Sequence, residues 1–277
     1  MHRFLHTYKP FVRAGILSFL TYRFNFLCYV IGEILYCFIM FFVWRAVFAS
    51  SGESTFMGFT MTDMVVFLFI TFLTQFLTSS DGAFALGEEI RDGSVAMRMI
   101  KPVSFDMAFL FQELGNKIIM ICLFMLPIII GVEIYRFTAV GQVMFQPVNF
   151  LLFLLSVTIA YLVSFYFNVC YGFLAFFLKN LWGSNILKES IVNFLSGAVI
   201  PIAFMPPVMQ GILQLLPFAS LSYTPVMIYM GRYGPVQICF FIGIQLFWLF
   251  AMWGISKLIW RAAVRRLCVQ GGKLWIN

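Results

Sequence analysis

Long apolar segments alternate with short polar ones along this chain. Six of them reach the roughly 20 residues that a membrane-spanning helix needs, and they cover residues 24–49, 63–80, 106–131, 148–178, 186–205 and 236–260. The apolar residues run continuously rather than at every second position, which indicates helices and not the strands of a membrane barrel. The pattern predicts an all-α integral membrane protein. It forms one transmembrane domain over residues 1–277, with a six-span bundle at 24–260 and a tail at 261–277.

The basic residues are distributed unequally between the two sides of this bundle. Six spans place both termini on one side, and that side carries fourteen of the eighteen lysines and arginines. The opposite loops carry Arg136 and Arg232, whereas Arg45 and Lys117 lie at the end of a span or within one. Because cytoplasmic loops are enriched in lysine and arginine, both termini are predicted to be cytoplasmic.

Composition excludes most other classes of protein. Of the 277 residues, 62% are hydrophobic and 10% are charged, whereas a soluble domain is about 25% charged. None of the six cysteines lies in a predicted outer loop, and the two histidines are both N-terminal. Disulfides and a metal site are therefore not expected. The basic tail around Arg265 is explained by contact with anionic membrane lipids, so no nucleic acid is expected as a partner.

The first 23 residues have an amphipathic pattern. Cationic or titratable side chains recur at helical spacing, at His2, His6, Lys9 and Arg13. Such a helix lies in the inner membrane interface with its cations at the lipid headgroups. Because proline interrupts helices, Pro10 predicts a short turn followed by a helix from about Lys9. The segment is either a simple anchor or a connector that also contacts a cytosolic partner.

The inner segment between the second and third predicted spans, residues 82–102, concentrates charge on a short stretch. Gly93 is suited to end one helix and Ser94 to begin a second, which Lys101 and Pro102 would end. Two short helices joined by a glycine form a docking surface. The alternative is a solvated loop that only joins two spans.

The outer segment after the fifth predicted span stays apolar but is broken by prolines. Pro201, Pro206, Pro207 and Pro217 interrupt it, and the apolar run at 208–216 is too short to cross a membrane. A broken backbone at membrane depth is tolerated only where protein covers it or water reaches it. The sequence predicts a short re-entrant or interfacial helix there, as the outer end of a pathway or as a passive lid.

The fourth predicted span carries small or short polar residues at intervals of four. Such a stripe allows helices to approach closely in lipid, and internal packing is the favoured explanation, with an oligomer interface as the alternative. The stripe consists of Ser156, Ala160, Ser164, Asn168 and Gly172.

Ionisable residues inside spans are costly and indicate function. Glu33 lies within the first span with no cation one or two turns away. Glu113 and Lys117 are spaced i, i+4 in the favourable order, which predicts a structural ion pair. Four further polar residues are either pathway residues or hydrogen-bonding contacts between helices: Thr74, Gln75, Asn193 and Ser196.

Several catalytic motifs are absent from the sequence. It contains no G-x-x-x-x-G-K-[ST], so the chain cannot bind ATP through a P-loop of its own. It also lacks G-x-S-x-G and H-E-x-x-H. The motifs give no support to an enzyme.

Two strings resemble a known family. The inner string IRDGSVAMRMIKPVSF and the outer string SGAVIPIAFMPPVMQGILQLLPFASLSYTPVMIYMG are similar to the patterns of ABC-2-type permeases, the membrane subunits of bacterial ATP-binding-cassette exporters. Tyr22-Arg23 before the first span also fits, and the likeness covers nearly the whole chain. The resemblance implies a multi-pass protein of the bacterial inner membrane.

The resemblance also implies partners and roles. The chain would be one of two permeases, identical or different, energised by separate cytosolic ATPases that hold the ATP and magnesium. Its inner segment would be the coupling helix, seated on the ATPase through Glu88, Glu89, Ile90, Arg91, Asp92, Gly93, Ser94, Met97 and Arg98. Its outer segment would be a gate formed by Gly197, Pro201, Pro206, Pro207, Pro217 and Phe218. The path would be lined by spans one, two and five, with Glu33, Thr74, Gln75, Asn193 and Ser196 as candidates.

The sequence therefore predicts an exporter permease that has no ATPase site of its own. Family members export drugs, antibiotics, peptides, lipids or polysaccharides. The first alternative is a secondary transporter that uses Glu33 and Glu113 as proton sites. The second alternative, a membrane-embedded lipid-modifying enzyme, lacks visible catalytic residues.

Overall fold

Helices account for most of the chain. A computed structural model describes residues 2–21, 23–52, 54–94, 104–142, 145–176 and 182–264. Within them the helices are α1 (His2–Thr21), α2 (Arg23–Ser51), α3 (Met61–Thr78), α4 (Gly82–Asp92), α5 (Phe105–Met120), α6 (Leu126–Val140), α7 (Pro147–Gly172), α8 (Trp182–Leu195), α9 (Pro207–Leu215), α10 (Pro217–Leu221), α11 (Tyr223–Tyr229) and α12 (Pro235–Val264). We call the end of the bundle at α4 the inner end, and the opposite end the outer end.

A small hairpin lies between α2 and α3 at the outer end. Strands β1 (Thr55–Phe56) and β2 (Phe59–Thr60) pair antiparallel. Thr60 then caps α3 reciprocally: its Oγ1 accepts from the backbone N–H of Asp63, and the Asp63 carboxylate accepts from the N–H of Thr60. Such a cap satisfies two otherwise unpaired donors at the start of a helix.

Five stretches are long and apolar enough to cross a membrane within the described part of the chain. They are Leu27–Ser51, Met61–Thr78, Asp106–Val140, Pro147–Ala175 and Pro235–Ala262. The protein is thus an all-α, multi-pass membrane protein. The prediction of one continuous helix over residues 186–205 is wrong, because α8 ends at Leu195. Gly197 adopts a left-handed backbone (φ +74°), which turns the chain there.

The third span is longer than the sequence indicated. It is formed by α5 and α6, joined by one π-helical turn at Ile121–Met125. Pro127 lies two residues after the end of that turn, and a widened turn relieves the clash of a proline ring with the preceding carbonyls. The prediction that Arg136 lies in an outer loop is wrong. Arg136 is buried in α6, where it donates to Glu133 at 3.1 Å.

Helix α7 lies at the centre of the fold and contacts α3, α4, α11 and α12. Its stripe of small residues, Ser156 to Gly172 at intervals of four, is buried throughout. The prediction of internal packing is therefore confirmed. At the start of the stripe, Ser156 Oγ donates to Gln245 Oε1 of α12 at 3.0 Å, and Gln245 Nε2 donates to the Ser220 carbonyl at 2.9 Å.

The N-terminal helix packs against the inner half of the third span. Gly15 of α1 and Gly115 of α5 are placed so that a Cβ on either would clash with a backbone carbonyl of the other helix. Tyr8 adds a hydrogen bond to Ser104 (3.0 Å) and stacks on Phe111. The predicted turn at Pro10 is wrong: α1 runs through it unbroken. The contacts of α1 with α5 hold the helix together there, at the cost of one backbone hydrogen bond.

Candidate functional site

Two residues predicted to line a pathway meet in the structure. Gln75 Nε2 of α3 donates to Asn193 Oδ1 of α8 at 3.0 Å. Asn193 is exposed and Gln75 is half-buried. A hydrogen bond on an uncovered face of spanning helices is unusual, because polar side chains are costly against lipid.

The exposed face of α8 carries further polar groups on the same stripe. Asn185 Nδ2 donates to Glu189 Oε1 at 2.8 Å, and Asn185, Glu189 and Asn193 are four residues apart. None of the residues of α8 is buried. The helix thus presents a polar face that the described part of the chain leaves uncovered.

Glu33 lies near this face on α2 and is half-buried. Tyr29, one turn before it, stacks on Phe76 of α3, with the ring centroids 6.1 Å apart. Phe76 neighbours Gln75 in the chain. Because α2 contacts α3, the turn of α2 that carries Tyr29 packs beside the part of α3 that carries Gln75.

Two other predicted pathway residues point into the protein. Thr74 is fully buried, and its hydroxyl donates to the Ile70 carbonyl within α3 at 2.7 Å. Ser196 is buried at the end of α8, where its hydroxyl donates to the Asn193 carbonyl at 3.1 Å. Neither side chain lies on the uncovered face.

The predicted coupling segment is helix α4. Leu86 is fully buried in a cluster that includes Tyr161, Phe165 and Phe173, and α4 packs on α7 and on the turn that follows it. Gly93 ends the helix in the left-handed conformation (φ +75°), as the sequence indicated. Glu88, Arg91, Asp92, Gly93 and Ser94 are exposed, and Glu89 and Ile90 are half-buried. Met97, Arg98 and the predicted second helix lie outside the described residues.

Glu113 and Lys117 do not make the predicted ion pair by direct contact, although their charges still attract each other. Glu113 accepts from Ser80 Oγ at 3.0 Å and from the Tyr161 hydroxyl at 3.1 Å. Lys117 lies over the Tyr161 ring, with Nζ 4.7 Å from its centroid. Both charged groups therefore contact the tyrosine of α7 instead of each other.

The predicted gate residues lie along a broken path at the outer side. Pro201 precedes a 3-10 turn at Ile202–Phe204, and Pro207 and Pro217 begin α9 and α10. Trp248 Nε1 of α12 donates to the Leu215 carbonyl at 2.8 Å. Phe218 packs edge-on against Phe167 of α7.

Local contacts fix the bends in this path. Gly197 has room for no side chain, because a Cβ there would lie 2.7 Å from Ile202 Cγ1. Gln210 Nε2 donates to the carbonyls of Ala203 (3.0 Å) and Met205 (2.7 Å). Pro206, next to Met205, is exposed.

An aromatic cluster at the outer end was not predicted from the sequence. The Phe204 ring is met edge-on by Trp44, Phe56 and Phe59, with centroids 5.2 to 5.4 Å away. These rings come from α2, the hairpin and the proline-rich segment. No spacing along the chain could have joined them, since aromatic residues occur throughout the spans.

Arg232 holds the chain just after α11 to the hairpin. It makes an ion pair with Asp63 at 2.7 Å, donates to the Gly58 carbonyl at 3.0 Å and lies over the Phe59 ring. In α11 itself, the Tyr229 hydroxyl donates to Glu133 Oε1 at 2.7 Å. Burial and the Glu133 carboxylate both raise the pKa of Tyr229, so the hydroxyl stays a donor.

A known protein family matches most of the chain. A family model described as "ABC-2 family transporter protein" matches residues 15–271. No curated protein sequence matched the chain. The match spans all the candidate regions above, from the end of α1 to the tail. The chain therefore belongs to the ABC-2 family of transporter proteins.

Proposed function

We propose that this chain is the permease half of an ATP-driven exporter in the bacterial inner membrane, with six spans and both termini in the cytoplasm. The fifth span is α8 together with the non-helical segment that leads to the outer aromatic cluster. The single observation that carries the proposal is the hydrogen-bonded pair Gln75–Asn193 on an uncovered face.

Exposed polar groups on spans support a second permease. Because hydrocarbon cannot satisfy Gln75, Glu189 and Asn193, a second chain, identical or different, covers this face and encloses a polar route. Glu33 lies at its edge and favours amphipathic or cationic cargo, such as drugs or antibiotics.

Helix α4 is the coupling helix. Its buried side, which includes Leu86, packs on α7, and its exposed tip offers charge to a cytosolic partner. That partner is an ATPase that binds ATP and magnesium, and this chain is a non-catalytic subunit. The N-terminal helix lies in the inner interface among membrane lipids, and the tail is cytoplasmic.

The segment from α9 to α11 is the outer re-entrant gate. Trp248 and Gln245 of α12 donate to the carbonyls of Leu215 and Ser220, which supports protein cover for a broken backbone at membrane depth. ATP-driven closure of the ATPases shifts the packing of the two permeases and opens this gate.

The test is to express the chain with the ABC ATPase encoded beside it, purify the complex and measure ATP-dependent export of a cationic dye in vesicles. Reversing the charges of Glu89 and Arg91 together is expected to reduce ATPase co-purification at least tenfold, because the docking surface loses its complementary charges. Arg45→Glu is the matched control, since Arg45 is an exposed cation at the far end of α2.

Three results decide between the functions. Co-purification and transport that survive the double reversal would remove α4 from the docking role. Transport driven by a pH gradient in the absence of ATP would favour the proton-coupled alternative, with Glu33→Gln abolishing it. A wild-type chain that binds no ATPase and moves no substrate would overturn the proposal.

A further inference from the structure

Three chain segments meet at one carboxylate next to the start of α4. The Oε1 atom of Glu113 accepts from Ser80 Oγ, in the link between α3 and α4, at 3.0 Å. Its Oε2 atom accepts from the Tyr161 hydroxyl of α7 at 3.1 Å. Both oxygens of one partly buried side chain are therefore used to join separate elements.

The start of α4 fits closely against this carboxylate. The backbone N–H of Gly82 donates to Ser80 Oγ at 3.3 Å. A Cβ at Gly82 would lie 3.3 Å from Glu113 Oε1 and 3.4 Å from Ser80 Oγ, tighter than most such contacts. Helix α4 is thus held at its first residue by Glu113, and one turn later by the buried Leu86.

Helix α7, the third element on this carboxylate, also reaches α8. Lys188 Nζ of α8 donates to Asn168 Oδ1 of α7 at 2.7 Å. Tyr161 and Asn168 are two turns apart on α7. A continuous set of contacts therefore runs from α4 through Glu113, Tyr161 and α7 to the helix that carries Asn193.

We propose that Glu113 is a positioning residue for transport: it makes α4 and α7 move as one unit, so that displacement of α4 reaches α8. The inference rests on the proposed function, since it needs an ATPase that moves α4. It gives the buried carboxylate a mechanical role. In the proton-coupled alternative the same carboxylate would carry the proton.

The test measures transport per ATP hydrolysed in the complex with the ATPase. Glu113→Gln keeps the shape but replaces one accepting oxygen with an NH2 group, which donates and cannot accept, so one of the two hydroxyls loses its acceptor. Transport is expected to fall about tenfold, the equivalent of one hydrogen bond to a charged group. Co-purification and the rate of ATP hydrolysis are expected to stay near those of the wild type.

Two tyrosines of α7 give a matched pair. Tyr161→Phe removes the hydroxyl that donates to Glu113 and is expected to lower the transport ratio as Glu113→Gln does. Tyr171→Phe removes a hydroxyl that has no hydrogen-bond partner among the described residues, and it is expected to change nothing. The double variant of Glu113 and Tyr161 should be no worse than either single variant, because both break one link.

The failures of the two proposals are distinguishable. A wild-type chain without ATP-driven transport would overturn the exporter, whatever Glu113 does. If the wild type transports and Glu113→Gln and Tyr161→Phe transport equally well, or if their losses multiply in the double variant, the positioning role is wrong. If Glu113→Gln fails to accumulate in membranes, two other variants test the positioning role. Tyr161→Phe and Ser80→Ala each remove one hydroxyl that donates to Glu113, and transport per ATP hydrolysed is measured for both.

Discussion

Helices α7 and α8 differ in how the rest of the chain covers them. Half of the residues of α7 are buried, and its polar residues Ser156, Ser164 and Asn168 all lie inside the protein. None of the residues of α8 is buried, although it too carries polar groups. Each is part of a predicted span, and α8 is the more polar of the two.

The contrast indicates which side of this chain is left for another protein to cover. Helix α2 resembles α8: its buried residues include Val30, Cys37 and Trp44, seven apart on a single seam. A side chain buried by its own chain contributes chiefly to stability, whereas one on an uncovered face contributes to assembly or transport. Pairs of like residues on the two kinds of surface test this distinction.

Substitutions of the two glutamines Gln245 and Gln75 should show the largest difference in their effect on stability. Gln245→Ala leaves Ser156 and the Ser220 carbonyl unpaired and opens a cavity in the core. We expect it to lower the free energy of unfolding by about 3 kcal/mol. The unfolding temperature of the purified protein, followed by tryptophan fluorescence, should fall by several degrees.

Gln75→Ala is the matched control. It removes only the hydrogen bond to Asn193 on the uncovered face, so it should leave the unfolding temperature nearly unchanged and lower transport instead. Equal loss of stability in both variants would show that burial does not separate the two surfaces.

The covered half of the fold was the more predictable from sequence. The stripe at Ser156 and Ala160 has the period of a helix, and Gly93 lies where a helix should end, so local pattern alone identified internal packing and the end of α4. Gln75 and Asn193 could also be identified as candidates from the sequence, because polar residues inside apolar spans are few.

The remainder depends on contacts between distant segments. Spacing predicts a pair between Glu113 and Lys117, yet Tyr161, 48 residues away from Glu113, contacts both. The length of α8 was misjudged because the apolar run continues past Gly197, where packing of Ile202 turns the backbone. The rings around Phe204 come from three segments that no periodic pattern relates.

Substitutions of the two glycines Gly115 and Gly131 of the third span should differ in their effect on stability by less than those of the two glutamines. A Cβ at Gly115 would meet the backbone of α1, whereas a Cβ at Gly131 would meet nothing within 4 Å. Gly115→Ala should force α1 away and cost about 2 kcal/mol. Gly131→Ala should be neutral or slightly stabilising, since alanine favours helices. Limited proteolysis measures this effect: Gly115→Ala should be cut faster near the N-terminus than Gly131→Ala. Similar digestion of both variants would contradict the close crossing of α1 and α5.

Of the three pairs, substitutions of the two arginines Arg232 and Arg91 should differ least in their effect on stability. Arg232 pairs with Asp63 at side-chain exposures of 34% and 28%, and it also contacts Gly58 and the Phe59 ring. Among the described residues, Arg91 pairs with its neighbour Asp92 alone, at side-chain exposures of 57% and 63%. Arg232→Gln should therefore cost about 1 kcal/mol, a loss that shrinks in high salt.

Arg91→Gln should leave the stability of the isolated permease unchanged and weaken its hold on the ATPase. The unfolding temperature at low and high salt, beside co-purification of the ATPase, separates the two effects. If Arg91→Gln destabilised the permease as much as Arg232→Gln, the tip of α4 would be part of the covered fold and not a surface kept for a partner.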